Sequence, residues 1–469
     1  MTTDAENTIR IALDSMPDVN NFHRLSDYSA NEVYQRTCLP LFTTNRHTGS
    51  INYGACQSWS LSEDGREFRA ILRTDLRWND GEKVTPKNFY DSIVYFIKKY
   101  QDRAHFLRHL VGFDCLDGAQ SWRDTIGISY NENEIWFQLR EQDDYFVQKL
   151  SRICLSAVRV ESYDYTGFPC KINYQFYYGP YYISRIENDS VVLVKNSWYR
   201  FVDRQGPDSI VYIVRTDGEE FLSDYLSDKL DMTCEVGASK SSLDQMAGRE
   251  DFQSRDSQLY FCLFFTSAIF YSMDRRKHIH YLLEECLEDM ERSMAIRSLR
   301  SSESQPGLFY RSTVAYQPGM EPKDEQIETI DLVFDDYYPN GEIILAVKRQ
   351  LELNGIVVST KTGNYHEPAV ITGDLRLFVA DNLFPNSLKL YYDIGLIARR
   401  LLSANEQAEY WFLLDKLESV RDEGCKREAK IALENYIYEY ALIIPIGRFQ
   451  KNFLAKPMLK DKFLNFDFV

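Results

Sequence analysis

The chain has 469 residues, of which 44% are hydrophobic and 26% are charged, a composition that is ordinary for a folded protein and argues against long disordered tracts. This length is enough for two or more lobes, each with a core of its own. The formal net charge of −16 disfavours binding to a nucleic-acid backbone, which requires clustered Lys and Arg.

The amino-terminal residues bear on cellular location. They contain neither a basic start nor an apolar stretch of signal-peptide length, and strand-like sequence begins at residue 9. No segment has the apolar length of a membrane span. The nine cysteines are scattered and form no C-x-x-C pair, which is typical of reduced thiols. We therefore expect a cytoplasmic protein; a periplasmic or extracellular location would require a leader that has been removed.

The most informative stretch is residues 59–93, where turn residues separate a hairpin from a helix. Asp64-Gly65 predicts a tight hairpin turn, and residues 67–72 alternate polar and apolar side chains as a half-buried strand does. Asp80-Gly81 marks a second turn. Thr85-Pro86 predicts a helix start, because Thr is a good N-cap and the first helical residue needs no free N–H.

Similar turn and helix-end signals continue along the chain. Residues 126–139 predict a hairpin that turns at 131–134. Helical spacing of apolar residues after Asn340 predicts a helix, which Asn354-Gly355 ends. The other predicted elements are strands at 191–194, 210–214, 356–360 and 442–446, and helices at 218–229 and 426–440.

This order of motifs resembles the signature of the family 5 extracellular solute-binding proteins, the dipeptide- and oligopeptide-binding group. The family's first group of motifs has a tryptophan, an Asp-Gly hairpin, a strand ending in Leu-Arg, an aromatic residue with Asp-Gly, and a helix start at Thr. Further along the chain, the family has the motifs Gly-Pro-Tyr and Asn-x-x-Tyr. The matching residues are Trp59, Leu72, Arg73, Trp78, Asp80, Gly81, Thr85, Gly179, Pro180, Tyr181, Asn196 and Tyr199.

Two departures from the family pattern are visible. Tyr177 stands where the family has the first glycine of its Gly-x-Gly-Pro-Tyr motif. The turn after the helix at 218–229 lacks the usual glycine, which is replaced within residues 227–229. The local backbone should differ at the first position, and the second turn must form without glycine.

The resemblance implies an α/β, two-lobe periplasmic-binding-protein-like fold of the class II, cluster C type, with a hinge and an interlobe ligand cleft. We expect residues 1–216 to form lobe I, with an inserted subdomain around 40–165. Residues 217–440 should form lobe II, and residues 441–469 should return to lobe I. Closure of the lobes would enclose the ligand.

The resemblance also implies a ligand site at the end of a strand in the second lobe. In peptide-binding relatives an aspartate followed by a proline pairs there with the ligand's α-ammonium. Asp381 falls on that pattern, flanked by Ala380 and Asn382. A carboxylate suits the task, because it accepts charge-assisted hydrogen bonds. The alternative is that Asp381 caps a turn, as Asp-Asn next to an apolar strand often does.

A first-lobe segment is the other candidate for the ligand site. Tyr28, Glu32 and Tyr34 resemble the segment that faces the cleft in the family. The alternative is the start of an amphipathic helix whose apolar residues point inward. Both readings remain open for Glu32 and Tyr34.

Signals for a metal or a catalytic nucleophile are weak. His105 and His109 have i, i+4 spacing on a predicted helix, but the H-E-x-x-H pattern is absent and nearby arginines disfavour a cation. We expect two solvated histidines, no metal and no cofactor. No Gly-x-Ser-x-Gly elbow and no phosphate-binding glycine-rich loop is present.

The predicted function is binding of a small peptide or another amine-bearing metabolite in the interlobe cleft, as a solute-binding receptor or sensor. The expected partners are the small ligand and either an ABC permease or biosynthetic proteins, with no nucleic acid and no membrane span. The alternative function is that of a cytoplasmic enzyme that has reused the solute-binding fold, for instance in peptide or natural-product biosynthesis.

Overall fold

The computed structural model of the protein describes residues 7–25, 27–44, 50–115, 125–200, 206–290, 296–297, 327–335, 338–363, 372–381 and 388–459. Its contacts divide the chain into two compact units. Unit 1 comprises Met1–Val236, Arg249–Phe252 and Phe453–Val469, and unit 2 comprises Gly237–Gly248 and Gln253–Asn452.

The strands of the described chain fall into five sheets. They are β1 (Thr8–Leu13), β2 (Phe42–Thr44), β3 (Ile51–Tyr53), β4 (Cys56–Leu61), β5 (Glu67–Leu72), β6 (Ile128–Tyr130), β7 (Glu134–Gln138), β8 (Arg159–Tyr163), β9 (Pro169–Asn173), β10 (Tyr181–Ile186), β11 (Ser190–Lys195), β12 (Ser209–Val214), β13 (Phe252–Phe265), β14 (Ile296–Arg297), β15 (Thr329–Asp335), β16 (Val357–Gly363), β17 (Leu375–Asp381) and β18 (Ile443–Leu454).

The α-helices of the described chain range from one turn to five. They are α1 (Tyr28–Thr37), α2 (Pro86–Lys99), α3 (Gln101–Ala104), α4 (Phe146–Lys149), α5 (Gly218–Leu226), α6 (Lys240–Met246), α7 (Met273–Met290), α8 (Asn340–Leu353), α9 (Leu388–Ile397), α10 (Ala404–Ser419), α11 (Glu423–Glu439) and α12 (Pro457–Leu459).

The first sheet of unit 1 has the order β1-β12-β11-β10. β1 and β12 are parallel, and β11 is antiparallel to both of its neighbours. The segment after α5 continues this arrangement, because Met232 bridges Ile11 in the parallel sense. Residues of β1, α1, β11 and β12 share one core, which includes Ile11, Val33, Leu193 and Tyr212.

A second sheet of unit 1, in the order β4-β5-β7-β6, contains the predicted hairpins. Gly65 turns β4 into β5 with a φ of +70°, a left-handed conformation that glycine adopts at little cost. The core face of this sheet carries Phe68, whose ring packs edge-on against Phe146 at 5.5 Å. Both hairpin predictions are confirmed.

The predicted start of α2 is also confirmed. The Thr85 backbone N–H donates to the Asn88 side chain at 2.9 Å, so the two residues form a capping box, and Pro86 occupies the first helical position. The preceding turn is tied down by Arg159 on β8, which donates 2.7 and 2.9 Å hydrogen bonds to the two carboxylate oxygens of Asp80. Its guanidinium also lies 3.8 Å from the centre of the Phe176 ring.

Unit 2 is built on a six-stranded sheet in the order β14-β18-β13-β17-β15-β16. β15 is parallel to both β16 and β17, whereas β13 is antiparallel to β17. α8 precedes β16, and Gly355 ends the helix with a φ of +80°, as its position predicted. Parallel strands have their carboxyl ends at one edge, so β15, β16 and β17 all end on the same side of the sheet.

Two sequence-based expectations were wrong in detail. The helix predicted at 218–229 ends at Leu226, and Asp228 takes a left-handed φ of 61° in the turn that lacks the family's glycine. Aspartate tolerates this conformation better than most residues, because its short side chain bonds locally. His105 lies in a 3-10 turn rather than on a regular helix, and His109 is buried rather than solvated.

Candidate functional site

The carboxyl end of β1 is the first candidate edge, and it belongs to unit 1. Because β1, β12 and the segment at Met232 are parallel, the residues that follow them lie at a common edge. Ligands of α/β sheets bind at such edges, where side chains of successive strand ends converge. Asp14 follows β1, Arg215 follows β12, and Glu235 follows the Met232 segment.

Three carboxylates gather at this edge, and we refer to Asp14, Glu32 and Glu235 as the carboxylate group. The Tyr28 hydroxyl donates a hydrogen bond to Glu235. Burial raises the pKa of Tyr28 well above its ordinary 10.0, and the nearby negative charges of Glu235 and Glu32 add to the effect. The Tyr28 side chain therefore stays protonated and acts as a donor to the carboxylate.

The surroundings of Cys234 show that Asp14 lies near the other two carboxylates. Its thiol is buried, and burial raises its pKa well above 9.0, with Asp14, Glu235 and Glu32 adding to the shift. Asp14 in turn accepts a 2.6 Å hydrogen bond from the Ser29 hydroxyl. All three carboxylates thus act electrostatically on one thiol, which is why we treat them as one group.

Local sequence explains why α1 begins at this edge. The Asp27 side chain accepts a 2.6 Å hydrogen bond from the Ala30 backbone N–H and so caps the helix. Tyr28 and Glu32 are one turn apart and therefore lie on the same side of α1. Helical spacing thus directs both toward the carboxyl edge of β1.

Tyr34 lies elsewhere on α1. Its side chain is fully buried, and its ring packs edge-on against Phe22 at 5.7 Å. Among the described residues, none forms a hydrogen bond with its hydroxyl. Burial raises the pKa of Tyr34 far above its ordinary value. Tyr34 therefore supports the wall of unit 1 from within the core.

Arg215, the cation that directly follows β12 at this edge, is already paired. Arg215 donates a 2.7 Å hydrogen bond to Asp224 and lies 3.5 Å from Glu220. Side chains of α5 thus neutralise the guanidinium. The carboxylate oxygens of Asp14, Glu32 and Glu235 are hydrogen-bond acceptors of the kind that bind a cationic ligand group such as an ammonium.

The second candidate edge belongs to unit 2 and contains Asp381. This residue is the last of β17 and lies opposite Leu259 of β13 in the antiparallel register. The next residue back, Ala380, is fully buried and lies opposite Tyr260. Asn382 lies outside the described residues. β17 extends beyond its pairing with β15, so Asp381 stands at the carboxyl edge of the parallel strands.

Sequence reasoning proposed Tyr28, Glu32 and Asp381, which lie at these two edges, but it did not propose Asp14, Cys234 or Glu235. A signal for the missed residues does exist. Asp14 directly follows a predicted strand, and Cys234-Glu235 follows the Leu-Asp element at residues 230–231. Only the parallel pairing of β1 with the Met232 segment shows that the two positions are neighbours.

Comparisons with known proteins agree with this architecture. The family model "Bacterial extracellular solute-binding proteins, family 5 Middle" matches residues 50–282. No curated protein matches the sequence. Among the described residues, no helix combines the length and the apolar character needed to cross a bilayer.

Solved structures resemble the chain over nearly its whole length. A periplasmic oligopeptide-binding protein of Borrelia burgdorferi has a TM-score of 0.80 and 17% identity, with 97% of this chain and 96% of that chain covered. The murein tripeptide-binding protein of Escherichia coli has a TM-score of 0.79 and 16% identity, with 97% of this chain and 95% of that chain covered. The Haemophilus influenzae oligopeptide-binding protein, in complex with the peptide RPPGFSPFR, has a TM-score of 0.76 and 15% identity, with 97% of this chain and 95% of that chain covered.

These structural similarities establish the fold, and the predicted α/β, two-lobe periplasmic-binding-protein-like fold is confirmed. The family match covers the hairpin and helix-start motifs from which the resemblance was drawn. The prediction of a solute-binding protein is likewise confirmed. The match to the family model, over residues 50–282, places this part of the chain in family 5 of the bacterial extracellular solute-binding proteins.

Proposed function

We propose that this protein binds a small peptide or another amine-bearing metabolite and acts as a ligand receptor or sensor. The observation that carries the proposal is the placement of acidic residues after parallel strands in each unit. Asp14 and Glu235 follow strand ends in unit 1, and Asp381 ends β17 in unit 2. The peptides named for the similar solved structures support the same ligand class.

The proposed roles of the residues follow from their chemistry. Asp381 would accept the ammonium of the ligand, with Ala380 and Asn382 forming the adjoining backbone. Glu32 would contribute negative charge from unit 1, and Tyr28 would hold Glu235 in place through its hydroxyl. Tyr34 would act from the core by fixing α1. Charge-assisted hydrogen bonds of this kind are about twice as strong as neutral ones.

The experiment compares two peptides that differ only at the amino end. Native mass spectrometry of the purified full chain would first show whether an amine-bearing molecule is bound. Calorimetry with tri-alanine and Nα-acetyl-tri-alanine would then test the ammonium directly. We expect binding of the free peptide and little or no binding of the acetylated one, because acetylation removes the charge.

Substitutions assign the ammonium to one unit. Asp381→Asn should weaken binding of tri-alanine by about 1.5–3 kcal/mol, the range for a hydrogen bond to a charged group. The exposed Asp102→Asn serves as the matched control and should leave affinity unchanged. If Glu235→Gln weakens binding and Asp381→Asn does not, the ammonium belongs to unit 1. Equal binding of both peptides would contradict the proposal.

We propose that the macromolecular partner is either a membrane transporter of the ABC type or a set of biosynthetic proteins. The Borrelia burgdorferi protein is named as part of an oligopeptide ABC transporter, and this is the supporting observation. Cross-linking in native cells, followed by mass spectrometry, would test it. Recovery of a permease subunit would support the transporter and contradict a cytoplasmic location, whereas recovery of biosynthetic enzymes alone would support a role in biosynthesis.

For the compartment we propose the cytoplasm. The cysteines described as free are Cys38, Cys56, Cys154, Cys170, Cys234, Cys262, Cys286 and Cys425, and six of them are buried. Free thiols are the usual state in a reducing compartment. Cell fractionation with an antibody against the full chain would decide the matter, and recovery in an extracellular or periplasmic fraction would overturn the proposal.

A further inference from the structure

The turn between α8 and β16 in unit 2 contains an exposed Asn-Gly pair. Asn354 is the C-cap residue of α8, and residues 352–355 are all exposed. Gly355 follows with a φ of +80°, and a Cβ built on it would meet no atom within 4 Å. The space around the junction of these two residues is therefore open, which gives the pair room to react with itself.

An Asn-Gly pair can react without an enzyme, because glycine has no side chain to hinder the approach of its nitrogen to the asparagine side chain. The Gly355 nitrogen, on losing its proton, attacks the side-chain carbonyl carbon of Asn354. A carbon–nitrogen bond forms there, the bond to Nδ2 breaks, and ammonia leaves. Water then opens the five-membered imide at one of its two carbonyls. The products are aspartate and isoaspartate at position 354, and water is the only co-reactant.

The fold protects the other Asn-Gly pair of the sequence, Asn340-Gly341. Asn340 is only 1% exposed, and its Nδ2 donates a 2.9 Å hydrogen bond to the Asp335 carbonyl. Both residues belong to the first turn of α8, where the Ile343 backbone N–H donates to the Pro339 carbonyl at 3.1 Å. Burial and the helical backbone together keep the Asn340 side chain from turning onto the next nitrogen.

Asn354 is held by weaker restraints. Its Nδ2 donates a 2.8 Å hydrogen bond to the Gln350 carbonyl, and the Gly355 N–H donates one of 3.1 Å to the Glu352 carbonyl. The ψ of Asn354 is 17°, so these two bonds must open before the ring can close. They lie at an exposed helix end, where fraying opens the last turn at a small free energy.

From these observations we propose that Asn354 is a site of spontaneous deamidation in the folded protein and that Asn340 is spared. The reaction places a carboxylate at the carboxyl end of α8, where the helix dipole disfavours negative charge. Isoaspartate also adds one carbon to the main chain three residues before β16 begins. Among the described strands β16 pairs only with β15, so the modification should loosen this edge of the unit 2 sheet.

Mass spectrometry of the aged full chain tests the proposal. Trypsin separates the two pairs, because Lys348 and Arg349 lie between them. After incubation at neutral pH, the peptide with Asn354 should gain the mass that distinguishes a carboxyl group from an amide and should elute as two products. The gain should be slower at mildly acidic pH, because the attacking nitrogen must lose its proton. The peptide with Asn340 should stay unchanged.

The chain unfolded in guanidinium chloride is the reference for this measurement. Both peptides should gain mass there, since neither asparagine is then restrained. The folded chain should react at Asn354 more slowly than the unfolded chain does. If folded protein shows no gain at Asn354 over a period in which unfolded protein reacts at both pairs, or if folded Asn340 reacts as fast as folded Asn354, the proposal is overturned.

One substitution assigns the mass gain to a single side chain. Asn354→Gln keeps the amide but lengthens the side chain, so closure of the five-membered ring is lost and the gain should disappear. Hydrogen exchange of β16 should rise on ageing in the wild type and stay constant in Asn354→Gln. A gain that persists in the variant would identify Gln350, in the same tryptic peptide, as its source and refute the assignment to Asn354.

Discussion

The guanidinium of Arg10 donates hydrogen bonds of 3.0 Å to both carboxylate oxygens of Asp231, and the Arg10 backbone N–H donates a third, of 2.9 Å, to the same side chain. Lys456 adds a hydrogen bond of 2.9 Å. These bonds join β1 to the segment that leads to Cys234 and Glu235. The position of the carboxylate group therefore depends on an ion pair outside it.

Loss of this ion pair should destabilise unit 1. Asp231→Asn should lower the free energy of unfolding by roughly 1.5–3 kcal/mol, because it weakens hydrogen bonds to a charged, buried acceptor. Urea denaturation would measure the change. The control is Glu67→Gln, which weakens the exposed pair with Arg69 and should cost less than about 1 kcal/mol. Equal costs for both variants would show that burial of Asp231 is immaterial.

The same carboxylate has a defined pH dependence. Burial acts to raise the pKa of Asp231, but the hydrogen bonds from Arg10 and Lys456 outweigh it, so its pKa lies below the ordinary 3.8. A pKa that is lower in the folded state stabilises the protein above pH 3.8, and this contribution is lost as the pH falls through the folded value. In acid titrations of stability, Asp231→Asn should flatten the curve below pH 3.8. A variant curve parallel to that of the wild type would contradict this.

His23 should make stability depend on pH in a second window. Its ring is buried between Tyr174, whose hydroxyl lies 2.7 Å from Nδ1, and Ser92, whose hydroxyl lies 2.9 Å from Nε2. Burial lowers the pKa of His23 from 6.5 to about 3. Protonation thus favours the unfolded chain, and the stability present above pH 6.5 is lost progressively as the pH falls toward 3.

The variant His23→Gln tests this assignment. Glutamine can donate and accept hydrogen bonds but does not titrate. The number of protons taken up on unfolding between pH 6.5 and 3 should therefore fall by one. Urea denaturation at several pH values measures the slope. The exposed Asp102→Asn variant controls for general effects of charge. If the slope in this window is the same in wild type and His23→Gln, the proton is taken up elsewhere.

Gly81, in the family motif, should not tolerate a side chain. Its φ is +91°, and a Cβ built there would lie 2.7 Å from the Trp198 ring. Gly81→Ala should therefore destabilise the protein by roughly 1–3 kcal/mol, through backbone strain and the steric contact together. Thermal and urea denaturation would measure the loss.

Gly248 is the matched control for this substitution. A Cβ at Gly248 would meet no atom within 4 Å, and its φ lies outside the left-handed range. Gly248→Ala should be neutral or stabilising by up to about 1 kcal/mol, because alanine has fewer unfolded conformations than glycine. Similar losses at both glycines would mean that conformation and space do not explain the preference at position 81.

Arg276 should be essential for the stability of unit 2. It is only 1% exposed, and it donates hydrogen bonds to the carbonyls of Tyr440, Phe270 and Tyr271 at 2.8–3.0 Å. Tyr440 is the C-cap residue directly after α11, so the guanidinium also caps that helix.

Arg276→Met should cost at least about 3 kcal/mol, because several buried carbonyls lose a charged donor at once. Denaturation with urea, followed by circular dichroism, would measure this loss. The exposed Arg427→Met on α11 removes a guanidinium of the same size and should change stability by less than about 0.5 kcal/mol. A small effect at Arg276 would imply that water replaces its hydrogen bonds.

The sequence predicted those parts of the fold that depend on local backbone chemistry. Gly65 and Gly355 adopt the left-handed φ values that their turns require, and Thr85 caps α2. Each of these effects acts over a few residues, so it can be read without knowledge of distant contacts. The helix end near Asp228 was misjudged, since an aspartate supplied the conformation that glycine usually provides.

The tertiary structure decided which distant residues meet. Asp14, Glu32 and Glu235 are separated by up to 221 positions in the chain, and only the parallel alignment of β1 with the Met232 segment brings them to one edge. Burial was equally unpredictable: Tyr34 lies in the core, while Tyr28, six residues earlier on the same helix, reaches Glu235. Local propensity fixes turns and caps within a segment, whereas strand pairing and burial are set by contacts that the linear sequence does not contain.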